Sequence, residues 1–110
     1  MGARTVFEVK DKDGSIFLYS HWGGDTKLED AIYALRKAEP RWGMHDTTYA
    51  MRIFISQIIG EAWNDETGYG ISIKHHFEEQ YEPMVIDFYN NTVEYLEEVI
   101  PFKDFVSEQE

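Results

Sequence analysis

His21, His45, His75 and His76 are the side chains of this sequence that exchange protons near neutral pH, so their spacing is the first guide to chemistry. Neither H-x-x-x-H nor H-E-x-x-H occurs. His75 and His76 are adjacent, which on a strand sends them to opposite faces, so no metal site is expected. His21 beside Asp25, with His75 brought near by sheet pairing, would supply acid–base chemistry and the minimal set for a small hydrolase. No nucleophile elbow, P-loop or dinucleotide fingerprint accompanies them: "TGYGIS" holds G-x-G without the third glycine and precedes a strand. The expectation is a protein that is not an enzyme and needs no cofactor.

Aromatic side chains form the second group. Tyr19, His21, Trp22, Trp42, Trp63 and Tyr69 fall at the ends of predicted elements, where rings line a rim or close a core. Stacking on such rings holds nucleobases, and Arg4, Arg41 or Arg52 would meet phosphates, so with Asp25 these residues outline a pocket for a nucleotide signal. Trp22 and Trp63 serve equally as plugs at the ends of the core. Arg52 interrupts an otherwise apolar helix, which leaves an ion pair with Asp25 or Asp87, or a reach into a pocket.

Charge is distributed unevenly. The net charge is −11, yet residues 1–60 carry eight basic and eight acidic side chains, whereas residues 61–110 carry only Lys74 and Lys103 against thirteen carboxylates. Such a field repels phosphate backbones and anionic membranes and suits a basic protein surface. Glu78, Glu79, Glu82, Asp87, Glu94, Glu97 and Glu98 are the expected acidic binding face, with solubility as the plainer role of the same charges.

The elements that must position these groups follow from pattern and length. At 110 residues, with 43% hydrophobic residues and no cysteine, the chain suits one domain in a reducing compartment. No apolar run is long enough for a membrane span, and the amino terminus lacks the basic-then-apolar pattern of a signal peptide, so a cytoplasmic protein is expected. Asp11-Lys12-Asp13-Gly14 predicts a hairpin pairing Val9 with Ile16, Phe7 with Leu18 and Val6 with Tyr19. Gly23 and Gly24 are expected at positive φ, and Thr26 and Glu29 as a capping box opening a helix over 26–38 that ends before Pro40. A second helix starts at Asp46 or Thr47 and is apolar on most sides. A strand over 71–77 follows, then a hairpin around Asn90-Asn91 that sets Phe88 against Val93, Ile86 against Tyr95 and Asp87 against Glu94. The expected fold is α+β, two helices on one face of a mainly antiparallel sheet, in the order β-β-α-α-β-β-β, one domain over 1–110 with a tail frayed from about 106.

The stretches "MGARTVFEV", "DKDG" and "LYSHWGG" resemble small uncharacterised proteins encoded by bacteriophages and prophages, which begin M-G-[TA]-R and place an H-W-[DG]-G-like motif after the first hairpin. The chain departs from that pattern at Gly23, often acidic in the group, and at "DTKL", where a proline commonly follows. The resemblance implies a viral product in the bacterial host cytoplasm that works by binding: an accessory, inhibitory or counter-defence protein whose acidic surface engages a basic host protein. A sponge for a nucleotide signal and a small hydrolase are the alternatives. A homo-oligomer is open, and direct nucleic-acid or membrane binding is not expected.

Overall fold

Asp11 shows how the first hairpin closes. Its Oδ1 accepts the backbone N–H groups of Asp13 and Gly14 at 2.8 and 3.2 Å, fixing the turn between β1 (Thr5–Asp11) and β2 (Gly14–Ser20). The observed register pairs Val9 with Ile16, Phe7 with Leu18 and Val6 with Tyr19, as the turn chemistry predicts. These coordinates come from a computed structural model that describes residues 3–44, 46–75 and 82–107.

Two helices follow. In α1 (Lys27–Ala38) the buried positions Lys27, Ala31, Ala34, Leu35 and Ala38 recur at helical spacing, and α2 (Thr48–Ile59) buries Ala50, Phe54, Ile55, Ile58 and Ile59. Asp46 Oδ1 accepts both the N–H and the hydroxyl of Thr48 at the start of α2, and Gly60, at φ 61°, ends it. The chain then forms β3 (Tyr69–Ser72), β4 (Met84–Asp87), β5 (Thr92–Tyr95), β6 (Glu98–Pro101) and a short α3 (Phe102–Ser107).

The class is α+β: a six-stranded sheet in the order β3-β2-β1-β4-β5-β6, antiparallel except for the β1–β4 pair. Alternation along the strands separates two faces. Phe7, Val9, Leu18, Met84, Ile86 and Val93 share one face and join α1, α2 and α3 in a single core cluster. Glu8, Phe17, Tyr19, Val85 and Glu94 belong to the other face, called the outer face below.

Several expectations are corrected. The order contains a sixth strand and a third helix, because Glu98–Pro101 pairs with β5 as β6 and the chain then buries Phe102 and Phe105 in the core as α3. α3 runs through Ser107, anchored by Arg36 Nη2 donating to the Val106 carbonyl at 2.5 Å. The Asn-Asn hairpin is wider by two residues. Ile86 pairs with Val93, Asp87 with Thr92 and Val85 with Glu94, so Asp87 and Glu94 are not opposite one another. The reason is Asp87 itself, whose carboxylate accepts the N–H groups of Tyr89 and Asn90 and the Asn90 amide, leaving Asn91 alone at positive φ.

The third strand starts two residues earlier than expected and ends at Ser72, with Ile73 exposed beyond it. No capping box forms. Thr26 Oγ1 donates to Asp30 Oδ2 at 2.8 Å, and a 3-10 turn over Gly23–Thr26 leads into α1 instead. α2 is not wrapped on most sides, since Tyr49, Arg52 and Gln57 are exposed.

Candidate functional site

The His-Trp-Gly-Gly-Asp junction is built by hydrogen bonds. Gly23 N–H donates to Ser20 Oγ at 2.9 Å, and a side chain at Gly23 would collide with that hydroxyl. Gly24 N–H donates to the Ala3 carbonyl at 2.7 Å, and His21 N–H donates to Gly68 O at 2.9 Å. Neither glycine has positive φ, so close approach rather than a left-handed backbone selects Gly23. His21 Nδ1 lies 2.9 Å from the Tyr19 hydroxyl, and its ring meets Trp22 edge-on at 4.4 Å. Trp22 is 64% exposed, so it does not plug the core.

The other aromatic candidates lie elsewhere. Trp42 packs on Phe102 with ring centroids 5.0 Å apart, and its indole Nε1 is buried without a hydrogen-bond partner. Tyr69 packs against the core and, with Trp63 and Asp65, lines a cavity of about 170 Å³ beside β3. Arg52 and Trp63 meet in a different hollow of about 290 Å³ between α2 and the sheet edge. The eight pocket candidates therefore divide among separate places, with Tyr19, His21 and Trp22 in one group and Arg52 with Trp63 in another.

Arg52 is exposed, which corrects the expected buried ion pair with Asp25 or Asp87. The physical reason is helical phase: Ala50, Phe54 and Ile58 take the core-facing side of α2, and Asp87 is consumed by its own turn. Asp25 is exposed at the 3-10 turn. His75 stacks on Phe17 at 5.5 Å, whereas His21 is paired with Tyr19, so the two histidines have different partners. His45, His76, Glu78 and Glu79 lie outside the described residues.

The acidic candidates converge in part. On the outer face, Glu82, Glu94 and Glu97 line a groove of about 320 Å³, joined by Glu8 from β1. Phe17, Val85, Tyr95 and Leu96 give this groove an apolar lining, and His75 and Pro83 border it. Glu98 is exposed at the start of β6, outside the groove, and Asp87 closes the β4–β5 turn. Glu8 is also bound, accepting the Ser15 hydroxyl at 2.6 Å.

Comparison with family models, curated proteins and solved structures found no match.

Beneath the groove sits Lys27, only 2% exposed. Its ammonium donates to Thr5 Oγ1 and to the Glu82 carbonyl, and lies over the rings of Phe7 at 5.5 Å and Tyr95 at 5.0 Å. A lysine at the first turn of an amphipathic helix reads from sequence as a surface charge, so its burial was not signalled. Burial and the nearby Glu82 carboxylate push the Tyr95 phenol above its ordinary pKa. The turn hydrogen bonds from Asp13 and from the Thr47 hydroxyl hold Asp11 below the ordinary carboxylate range.

Leu96 and Glu97 form the two-residue loop between Tyr95 and Glu98, with φ of 53° and 68°. Two successive left-handed residues are the pattern of a type I′ turn, which prefers Asn-Gly. Leu96 is 60% exposed there, so burial offsets little of the backbone cost. Among the described residues no helix is long and apolar enough to cross a membrane.

Proposed function

We propose that this chain is a non-enzymatic binding protein whose outer sheet face docks a basic surface of a partner protein, in the setting of a phage product acting on its bacterial host. The observation that carries the reading is the convergence of Glu8, Glu82, Glu94 and Glu97 on one groove with an apolar lining. Carboxylates ringed around exposed apolar surface attract a cationic side chain and cover its aliphatic stem. The Leu96–Glu97 turn supports it, because strained backbone with an exposed leucine is retained where the side chains have a use beyond folding.

The phage setting rests on the sequence resemblance, and the basic partner on the charge excess of the second half. The test is capture from host lysate on the immobilised protein at low and high salt. A stoichiometric partner released by salt is expected, and it should be lost with a Glu82→Lys/Glu94→Lys/Glu97→Lys variant. Glu29→Lys/Asp30→Lys, an acidic pair on exposed α1 positions, should retain it. Equal capture by both variants would reduce the groove to a solubilising surface.

A further inference from the structure

The hollow between α2 and the edge of the sheet is chemically unlike the acidic groove. Met51 and Ile55 of α2, Ile16 of β2, Ile71 of β3 and the Trp63 ring line an open hollow of about 290 Å³. Trp63 and Ile71 are each about half exposed, at 50% and 52%, so their rings and methyls remain open to water. Arg52 is the one charged residue in the lining, and among the described residues no carboxylate pairs with it. The other polar lining group, Thr48, already donates its hydroxyl to Asp46 at 2.6 Å.

An apolar cavity of about 150 Å³ holds a benzene ring, so this space admits a body of roughly twice that size. The single cation at its rim sets the head group. A guanidinium is itself weakly hydrated and binds a carboxylate through two parallel hydrogen bonds. A nucleotide would bring several phosphate charges and polar base edges to a lining that offers one arginine. A second copy would bring another net charge of −11 to the same place.

We propose that this hollow is a binding site for a small free amphipathic monoacid, with its apolar body against Trp63, Ile71 and Met51 and its carboxylate on Arg52. The site is separate from the acidic groove and does not depend on the function proposed for it.

The test is calorimetric titration with 4-phenylbutyrate, 4-phenylbutanamide and 4-phenylbutylamine, with sedimentation velocity run in parallel. The acid should bind at least about tenfold more tightly than the amide or the amine. Arg52→Met should remove the preference, Arg52→Lys should keep much of it, and Ile71→Asp should abolish binding of both acid and amide. Melting temperatures close to that of the parent protein establish that these exposed-site variants are folded. Absence of acid binding at millimolar concentration, equal binding of acid and amide, or an unaltered preference in Arg52→Met would each overturn the proposal. So would a dimer that Ile71→Asp dissociates and 4-phenylbutyrate does not, because the hollow would then be an interface between copies.

Discussion

The two faces of the sheet differ in what their side chains do. On the helix side, Phe7, Val9, Leu18, Met84, Ile86 and Val93 are at most 1% exposed. The aromatic contacts Phe7–Phe54, Phe54–Phe88 and Phe88–Phe102, at 5.7, 6.4 and 5.2 Å, extend that core from β1 to α3. On the outer side, Phe17 and Val85 are only partly covered, and the carboxylates of Glu8, Glu82, Glu94 and Glu97 surround them. One face supplies folding energy through dense packing, and the other mixes charge with apolar surface in a way that packing alone does not require. Stability and recognition should therefore respond to different substitutions.

The largest expected effect is on the helix side. Phe54→Ala removes a fully buried ring from the aromatic series and should cost about 3–5 kcal/mol of unfolding free energy in urea titrations. Phe17→Ala, on the partly covered outer face, should cost about 1–2 kcal/mol. Equal losses would abolish the contrast between the faces.

Next in size is Lys27, the polar group that crosses from core to groove. Lys27→Met keeps the aliphatic stem but leaves the Thr5 hydroxyl and the Glu82 carbonyl without their donor. A loss of about 1–3 kcal/mol is expected. Adding Thr5→Val should recover part of it, because deleting both partners is cheaper than stranding one. If the double variant is no better than the single, the lysine acts through packing instead.

The contrast between faces also explains what the sequence conveys. The first hairpin was legible down to its register because Asp-Lys-Asp-Gly and the alternation of Phe7 and Val9 act locally. The α+β class was legible for the same reason, through the periods of α1 and α2. The β4–β5 hairpin was misregistered because Asp87 competes with Asn-Asn for control of the turn, and two local signals of similar strength cannot be ranked without the strand they serve. β6 was missed because Leu96-Glu97 lacks ordinary turn chemistry. The grouping of Glu8 with Glu82, Glu94 and Glu97 was invisible, since it depends on β1 lying beside β4 in parallel, a long-range pairing.

A smaller effect, of opposite sign, is expected at that turn. Leu96→Asn/Glu97→Gly places residues suited to left-handed backbone at both positions and should raise stability by about 1 kcal/mol per residue. The same change removes a carboxylate and an exposed leucine from the groove, so partner capture should weaken while the melting temperature rises. A variant that is both more stable and equally able to bind would show that the strained turn has no part in recognition.

The smallest effect concerns Tyr95, which contributes to both faces: its ring lies under Lys27, and it lines the acidic groove. Burial first, and the Glu82 charge second, raise its phenol above the ordinary value of 10.0. The fold thus retains a proton that the unfolded chain releases more readily. Its contribution to stability is full below the ordinary phenol pKa and is lost as pH rises through the higher folded value. Tyr95→Phe has no proton to lose, so subtracting its pH profile from that of the parent protein isolates this slope from the titration of lysines. The difference should be flat from pH 6 to about 9 and fall above that. A Glu82→Gln variant should make the fall smaller without moving its onset, since removing the charge that opposes phenolate formation brings the folded pKa closer to that of the unfolded chain. A difference profile that stays flat through the alkaline range would mean that the ring is no more protected from water in the fold than in the unfolded chain, and the boundary between the dry face and the charged one would have to be drawn on the core side of Tyr95.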